Sequence, residues 1–238
     1  MVLLGSSWYD YLYNIYKHGQ KCQKDDSDDI REILGVHIFL PRPQDSSYYE
    51  MNNPDLFLSL IESGVYDIDG YFLKGPALSQ YVQAWDDEDM IYLQNDMDFV
   101  YTYPQRLFNY KTYDKYNDTI NAINQYDIIV QRLANNLNSN RAVATLYNCG
   151  IDRQEQHIPC LNFLQGIVRN NKLILSCMFR SNDIFNAWPS NMYLLTYLGM
   201  KLANEFGIVF GGIDYHCSSA HYYLSEEPLV EDVLNSWV

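Results

Sequence analysis

The sequence has few basic residues and few cysteines, and each shortage argues against a class of protein. Its 238 residues include 16 Lys and Arg against 30 Asp and Glu, for a formal net charge of −14. Such a surface repels nucleic acid polymers and anionic membranes. The five cysteines are Cys22, Cys149, Cys160, Cys177 and Cys217, and no two of them form a CxxC pair. Their odd number and scattered spacing argue against a disulfide framework and favour a reducing compartment.

Long apolar runs are also missing. No stretch reaches the roughly 18 to 20 apolar residues that span a bilayer. The apolar start, Met1–Ser7, lacks the basic residues and the long apolar core of a signal peptide. We therefore expect a cytoplasmic protein with no membrane partner. The apolar share of 47% and the charged share of 19% are ordinary for a globular protein.

Tyrosine is unusually abundant, with 22 copies. This bias is typical of an AT-rich genome, and a viral source, with the protein in the host cytoplasm, fits it. The length corresponds to one large domain or two small ones. We find no internal repeat and no low-complexity linker, so a single domain over residues 1–238 is the simplest organisation.

Hydrophobic periodicity in the first half predicts helices around one strand. Trp8, Leu12, Ile15 and Tyr16 share one stripe of a helix over 8–18, which Gly19 ends. The other predictions here are a loop over 20–31, a buried strand over 32–40, helices near 54–63 and 76–85, and a helix over 117–136 with Ile120, Ile123, Ile128, Ile129 and Leu133 facing inward.

Strands dominate the second half. We predict strands over 141–147, 161–168, 172–179 and 208–215, with another beginning or continuing at 221–223. A hairpin turn at 169–171 joins the second and third of these. Residues 190–206 are apolar on nearly all sides, which predicts a buried helix ended by Gly207. The pattern predicts an α+β fold in which helices cover a mixed β-sheet.

Three polar clusters could carry chemistry, although each alone is more typical of a structural role. Cys160 follows a proline just before a strand, but most free cysteines are small buried hydrophobes. Arg180–Asp183 follows the next strand and could bind an anion, or could be a turn that caps a helix. Ser218–Tyr223 could bind a sugar, or could be a polar strand end with a satisfied histidine.

Taken together, the clusters resemble one known family. The motifs, in chain order, are Pro159-Cys160 with Leu161 and Gln165, then Arg180-Ser181-Asn182-Asp183, Ala187-Trp188-Pro189-Ser190-Asn191-Met192, and Ser218 to Tyr223. Their order and spacing are similar to the thymidylate synthase superfamily, which includes the pyrimidine-nucleotide hydroxymethylases. The variant forms look more like short archaeal-type or viral members. The resemblance is strong over 141–224, weak over 99–140 and poor over 1–98.

The resemblance implies a role for each catalytic residue. Cys160 would be the nucleophile that adds to carbon 6 of the pyrimidine ring, so that carbon 5 can attack a one-carbon unit. Arg180 would lower the pKa of the Cys160 thiol and bind the substrate phosphate, with help from Ser181. Asp183 would contact the folate, 5,10-methylenetetrahydrofolate. Tyr103 would help to remove the proton from carbon 5.

The resemblance also implies how the nucleotide is recognised. Asn191 would read the pyrimidine edge, and an amide there favours uracil, because it can donate to O4 and accept from N3–H. His221 and Tyr223 would bind the deoxyribose 3′-hydroxyl. Gln165 would support the nucleotide pocket, and Arg141 would reach the phosphate bound by the partner of a homodimer packed sheet against sheet.

Several positions depart from the family pattern. Leu161 replaces the histidine that usually follows the cysteine, and Asn140 replaces one of two paired arginines. Phosphate binding would then be weaker, or would be rebuilt with Arg106 or Arg31. The family's arginine-bearing phosphate loop is not recognisable in 20–31, and the best candidate for its water-organising glutamate is Glu62, which is equally well an exposed helix charge.

These residues favour a folate-dependent thymidylate synthase that methylates dUMP at carbon 5. One alternative is a hydroxymethylase acting on dUMP, dCMP or CMP, which would use the same cysteine and the same folate. A different class of alternative is a catalytically inactive relative that binds a nucleotide and regulates or scaffolds. No metal is implied by any of these.

Overall fold

A computed structural model describes residues 3–24, 29–41, 52–91 and 101–237 of the chain. Strands of this part form a mixed β-sheet, and helices cover one face of it, which confirms the predicted α+β class. The strands of the sheet are β1 Gln20–Gln23, β2 Asp29–Pro41, β5 Val143–Thr145, β6 Leu161–Arg169, β7 Lys172–Phe179, β8 Asn182–Asp183 and β9 Val209–Tyr223, while β3 Tyr110–Asp114 and β4 Thr119–Ile123 pair as a separate hairpin.

The helices lie between and after these strands. They are α1 Leu3–His18, α2 Pro54–Glu62, α3 Gly75–Gln83, α4 Glu88–Ile91, α5 Tyr103–Phe108, α6 Gln125–Asn135, α7 Cys149–Asp152, α8 Trp188–Asn204 and α9 Glu227–Ser236, with a 3₁₀ turn at Leu224–Glu226. The predicted helices at 8–18, 54–63, 76–85 and 190–206 are therefore confirmed within a few residues. Within the described residues, no helix has the length and apolarity needed to cross a membrane.

The sheet order is β1-β2-β9-β7-β6-β5, with β8 pairing β9. Strand β9 runs parallel to β7 and β8, whereas the other neighbours are antiparallel. Asn170 and Asn171 both have positive φ, at 51° and 60°, which is the backbone of a two-residue hairpin turn and confirms the one predicted between β6 and β7.

Helix α8 makes the parallel pairing possible, because it carries the chain back from β7 and β8 to the start of β9. Its side chains are buried over almost its whole length, as its apolar sequence predicts. Gly199 packs directly against the ring of Phe210 on β9, and any Cβ at this position would overlap that ring. The helix ends before Gly207, which has a φ of 60° and fits the left-handed conformation that glycine tolerates.

Two of the predicted elements are wrong, and the strand predicted over 32–40 forms but is not buried, because only Leu40 among those residues is buried. Residues 20–31 include β1 and the start of β2, which pair with each other, rather than a loop; residues 25–28 lie outside the described residues. The predicted helix over 117–136 begins only at Gln125, because 119–123 pairs with 110–114. Ile120 is 73% exposed and Ile128 is 36% exposed, so neither faces the core, whereas Ile129 and Leu133 are buried as predicted.

Candidate active site

Three strand ends meet at one side of the sheet and bring the sequence clusters together. Cys160 immediately precedes β6, and Arg180 immediately follows β7, its antiparallel neighbour. The short strand β8 then pairs with the end of β9, so that Asp183 lies opposite His221. Residues far apart in sequence therefore share one site because of the pairing of β6, β7, β8 and β9.

Arg180 holds the segment that carries Cys160. Its Nε donates to the carbonyl oxygen of Pro159 at 3.0 Å, and its Nη2 donates to that of Ile158 at 2.8 Å. Its backbone N–H also donates to the carbonyl of Cys160 at 2.8 Å. Two of the five guanidinium N–H groups are used in this way, which leaves three in the described part of the chain to bind an anion.

The electrostatics at Cys160 depart from the expectation. Burial raises the pKa of the Cys160 thiol above its ordinary value, and this outweighs the opposite effect of the Arg180 and Lys24 cations. Asp183 raises the pKa further. The expectation that arginine lowers the pKa is thus correct in sign for Arg180 but wrong for the net shift, because the thiol is desolvated.

Two tyrosines flank the thiol. Tyr103 begins α5, where the Thr102 side chain caps the helix by accepting from the N–H of Gln105. The Tyr103 hydroxyl accepts from the backbone N–H of Leu161 at 3.3 Å, directly beside Cys160. Burial raises the pKa of Tyr103 well above its ordinary value, and a charge on Cys160 would raise it further. Tyr103 is therefore a neutral phenol at pH 7.

The second tyrosine is Tyr101, two residues earlier. Its hydroxyl donates to the carbonyl of Ile158 at 3.2 Å, the same carbonyl that accepts from Arg180. Burial raises the pKa of Tyr101 too, so it stays protonated and can make this donation. The backbone that precedes the thiol is therefore fixed from two sides, by a cation and by a phenol.

His221 has one ring nitrogen that its neighbours do not use. Its Nδ1 lies 3.2 Å from the Ser181 hydroxyl, and the residue is only 2% exposed. Its Nε2 is buried and has no hydrogen-bond partner among the described residues. Burial lowers the pKa of His221, so the ring is neutral at pH 7. An unpaired buried nitrogen is costly, and a ligand hydroxyl would satisfy it.

Lys24 is a cation at this site that the sequence did not reveal. Its Nζ donates to the Tyr223 hydroxyl at 2.9 Å and also lies 5.0 Å from the centre of the Tyr223 ring. It is near enough to lower the pKa of both Cys160 and His221. Lys24 directly follows β1, the strand predicted to be loop, and its only sequence signal is a basic residue at the start of an acidic run.

Asn191 lies near the start of α8, and a chain of hydrogen bonds orients its amide. The Tyr81 hydroxyl donates to Oδ1 of Asn191 at 3.0 Å, and Nδ2 of Asn191 donates to Oδ1 of Asn182 at 3.5 Å. Asn182 in turn donates its own Nδ2 to the Tyr215 hydroxyl at 3.1 Å. Reversing the Asn191 amide would set two acceptor oxygens against each other unless Asn182 also turned.

The Asp183 carboxylate is fixed by its own loop. Its Oδ1 accepts from the backbone N–H groups of Phe185 and Asn186, each at 3.0 Å, and its Oδ2 accepts from Nδ2 of Asn186 at 2.8 Å. The Asn186 amide also donates to Glu226 at 2.6 Å. Burial raises the pKa of Glu226, and the neighbouring Asp183 charge raises it further.

A cavity of about 530 Å³ lies against this cluster. Its walls include Tyr81, Trp85, Tyr101 and Tyr103, together with Leu194 of α8. Tyr103 connects the cavity to the backbone beside the thiol, and Tyr81 connects it to Asn191. Aromatic walls with a few hydroxyl groups are typical of a site for a flat organic ligand.

Two of the expected site residues lie elsewhere. Gln165 is in the middle of β6, and its Nε2 donates to the carbonyl of Asn140 at 2.8 Å. It lies four residues beyond Leu161 along the strand, which corresponds to about 13 Å at the usual rise. Arg141 precedes β5 with an exposed side chain. Within one chain, neither residue joins the Cys160 cluster.

The substitute cations proposed from sequence are already paired. Arg106 forms a buried ion pair with Asp152 at 2.5 Å. Arg31 donates to both carboxylate oxygens of Glu227, at 2.9 and 3.0 Å. We therefore correct the expectation that either one rebuilds a phosphate site. Glu62 is an exposed residue at the end of α2, as its alternative interpretation states.

Comparison with known proteins points to one family. The family model "Thymidylate synthase" matches residues 72–236. A protein of Methanothermobacter marburgensis named putative thymidylate synthase is 26% identical over 222 residues, 92% of this chain and 90% of that protein. Its namesake in Methanosarcina barkeri is 26% identical over 97% of this chain and 91% of its own length. A third, from Methanocaldococcus jannaschii, is 39% identical over 134 residues, 54% of this chain and 58% of that protein.

Because the family match covers more than half of the chain, this chain belongs to the thymidylate synthase family. It is an enzyme of the one-carbon transferase class. The family generally uses methylenetetrahydrofolate and binds a nucleotide. These three relatives are archaeal, and they give no support to a viral source.

Proposed function

We propose that this chain is a thymidylate synthase that methylates dUMP at carbon 5, with Cys160 as the nucleophile. One observation carries the proposal. Arg180 binds the backbone that precedes the Cys160 thiol and keeps three N–H groups for an anion, so the nucleophile and a phosphate site are joined by one side chain.

The phosphate and the sugar would be bound by neighbouring side chains. Arg180 and Ser181 donate to the phosphate, and Lys24 adds a second cation that replaces the missing phosphate-loop arginine. His221 has a buried Nε2 without a partner in the described part of the chain, which fits the deoxyribose 3′-hydroxyl. Tyr223 supports the same hydroxyl and positions Lys24.

The orientation of Asn191 favours uracil over cytosine. In this orientation Oδ1 accepts from Tyr81 and keeps a lone pair for N3–H, while Nδ2 keeps a proton for O4. Cytosine presents the opposite pattern, an acceptor at N3 and a donor at position 4. Binding it would require Asn191 and Asn182 to reverse together, because a reversed Asn191 alone would set its oxygen against the oxygen of Asn182.

The covalent step follows from the same residues. The Cys160 thiolate adds through Sγ to carbon 6 of the bound uracil, and the electron pair of the ring's double bond moves toward carbon 5 and O4. Carbon 5 then forms the new carbon–carbon bond. The carbon 5 proton then leaves to a base, and the bond between the one-carbon unit and its folate nitrogen would break. A hydride from the folate would add to the exocyclic methylene as Sγ leaves, which gives the methyl group, restores the C5–C6 double bond of uracil and frees the cysteine. Tyr103, a neutral phenol beside Leu161, is placed to hold a proton or a water in this step.

The folate would be held by the aromatic cavity and by Asp183. The walls formed by Tyr81, Trp85 and Tyr103 suit a flat heterocycle. Tyr81 hydrogen-bonds to Asn191, and Tyr103 hydrogen-bonds to the backbone beside the thiol. When bound, 5,10-methylenetetrahydrofolate supplies the one-carbon unit and, in a synthase, the hydride. The residues of the chain bind it, orient it and exclude water from carbon 5.

The open face of the sheet would form a homodimer. Phe39 on β2, Met178 on β7 and Val143 on β5 are exposed by 51%, 47% and 37% on this face. Packing it against a second copy would bury this apolar surface. In such a dimer Arg141 and Gln165, which lie outside the Cys160 cluster of their own chain, would be close to the partner and could serve its nucleotide.

Product analysis tests the reaction. Purified chain is incubated with methylenetetrahydrofolate and, separately, dUMP, dCMP, UMP or CMP, and the products are identified by mass. Methylated dUMP with dihydrofolate is the expected result. A hydroxymethylated nucleotide with tetrahydrofolate would replace the synthase with a hydroxymethylase. Absence of product, together with no covalent 5-fluoro-dUMP adduct on Cys160, would favour the catalytically inactive regulator.

A further inference from the structure

Asp183, the residue proposed to contact the folate, shares one amide group with a second acid, Glu226. Nδ2 of Asn186 donates to Oδ2 of Asp183 at 2.8 Å and to Oε1 of Glu226 at 2.6 Å. A primary amide nitrogen carries two protons, so both are committed. The amide therefore bridges a carboxyl of β8 and a carboxyl of the 3₁₀ turn, which lies 40 residues after Asn186 in the chain.

The second carboxyl oxygen of Glu226 is left over. This atom, Oε2, is buried and has no hydrogen-bond partner among the residues that the structure describes. Burial and the nearby Asp183 charge raise the pKa of Glu226, so this carboxyl takes up a proton more readily than an exposed one. The proton belongs on Oε2, because Oε1 accepts from Asn186. Glu226 can therefore hold the Asn186 amide as a neutral carboxyl, without adding a second full charge beside Asp183.

Other contacts fix the backbone of this loop. The N–H of Ile184 donates to the carbonyl of His221 at 2.7 Å. The Tyr71 hydroxyl donates to the carbonyl of Asn186 at 2.8 Å. Both bonds are independent of Glu226, so removal of the Glu226 carboxyl would leave the path of the main chain intact. Its effect would fall on the orientation of the Asn186 side chain.

A cavity next to this amide gives it room to turn. About 350 Å³ of space borders Asn186 and Glu226, with Tyr71 and Phe185 among its walls. While Glu226 is in place, rotation of the amide would set Oδ1 of Asn186 against acceptor oxygens of both acids. Without Glu226, only Asp183 would oppose the rotation. The Asp183 carboxylate would then lose one of the donors that orient it for part of the time.

We propose that Glu226 is a positioning residue for Asp183: through the Asn186 amide, it holds the Asp183 carboxylate in the orientation that binds the folate. The inference rests on the proposed function, in which Asp183 makes that contact. Glu226 acts through one side-chain hydrogen bond, so its loss should weaken folate binding by the factor typical of one such bond. Binding of dUMP should not change.

The test measures folate binding without turnover. Methylenetetrahydrofolate is titrated by calorimetry into the whole chain carrying Cys160→Ser and saturated with dUMP. Glu226→Ala should weaken this binding about fivefold, which corresponds to the loss of one hydrogen bond. Glu226→Gln, which keeps an acceptor oxygen for Asn186, should bind within about twofold of the parent. With Cys160 intact, Glu226→Ala should raise the KM for the folate by the same factor and leave kcat nearly unchanged.

Matched variants separate this role from a structural one. Glu231→Ala removes another carboxyl of α9, one that accepts from the Tyr16 hydroxyl at 2.7 Å, and should leave folate binding unchanged. Adding Glu226→Ala to Asn186→Ala should change folate binding little further, because the amide through which Glu226 acts is already gone.

Two results would overturn the inference and leave the proposed function standing. One is an additive loss in the double variant of Asn186 and Glu226. The other is normal folate binding by Glu226→Ala under conditions in which Asp183→Ala binds the folate more weakly. Normal folate binding by Asp183→Ala would instead remove the contact that both the proposed function and this inference assume.

Discussion

Replacing Lys24 is the sharpest test of the proposed phosphate site, because no motif in the sequence singles out this residue. Its Nζ lies 2.9 Å from the Tyr223 hydroxyl, and its positive charge lowers the pKa of both Cys160 and His221. Hydrogen bonds to charged groups contribute about 1.5–3 kcal/mol. Lys24 is partly exposed and screened, so the lower end of that range applies, and Lys24→Gln should weaken dUMP binding about tenfold.

The measurement is calorimetric titration of dUMP into protein that carries Cys160→Ser, so that chemistry does not interfere. Affinity should also depend less on salt in Lys24→Gln than in its parent, because one cation is removed. The matched control is Lys21→Gln, three residues earlier on β1, whose ammonium faces Glu227 at 3.5 Å. Equal affinity in Lys24→Gln and its parent would refute the assignment, as would an equal loss in Lys21→Gln.

Three further predictions concern single residues. Cys160→Ser should abolish turnover and keep dUMP binding, and alkylation of the native Cys160 thiol by iodoacetamide should still accelerate above pH 8, because its raised pKa moves thiolate formation to higher pH. Tyr81→Phe should lower the preference for dUMP over dCMP about fivefold in kcat/KM, since one hydrogen bond that orients Asn191 is lost. Asp152→Ala should lower the Tm by about 10 °C, because it leaves the buried Arg106 charge unpaired at a cost of about 3–5 kcal/mol.

Each of these has an outcome that contradicts it. Normal turnover by Cys160→Ser would remove the nucleophile, and a plateau of the alkylation rate below pH 8 would mean that burial does not control the thiol. An unchanged nucleotide preference in Tyr81→Phe would show that the base is read elsewhere. A Tm of Asp152→Ala within a degree or two of the parent would mean that solvent reaches the Arg106 guanidinium.

The second half of the fold could be predicted because its signals are local. The hairpin turn at Asn170 and Asn171 lies between two apolar runs, and α8 is apolar on nearly all sides, which predicts its burial. The helix predicted over 117–136 is wrong although its signal, isoleucines at helical spacing, is also local. That prediction missed a turn in the same segment, in which Asp114 accepts from the N–H of Tyr116 and Asp118 adopts a φ of 53°.

In the candidate site, too, the residues that could be predicted are those whose signals are local in sequence. The positions of Cys160, Arg180 and His221 follow from motifs whose residues are close in sequence. Tyr81 escaped notice because its hydrogen bond to Asn191 joins positions 110 residues apart. The net pKa of the thiol could not be predicted either, since it depends on burial that only the packed structure reveals.

Arg180 donates to the carbonyls of Ile158 and Pro159, directly before Cys160. The reactivity of the Cys160 thiol should therefore depend on whether an anion occupies the phosphate site. An anion that accepts hydrogen bonds from the remaining guanidinium N–H groups of Arg180 also neutralises part of the positive charge near Cys160. Inorganic phosphate alone should therefore slow alkylation of the thiol, whereas an uncharged nucleoside would leave the cation unchanged. Arg180 therefore couples the charge of a bound ligand to the reactivity of the Cys160 thiol, whichever base the ligand carries.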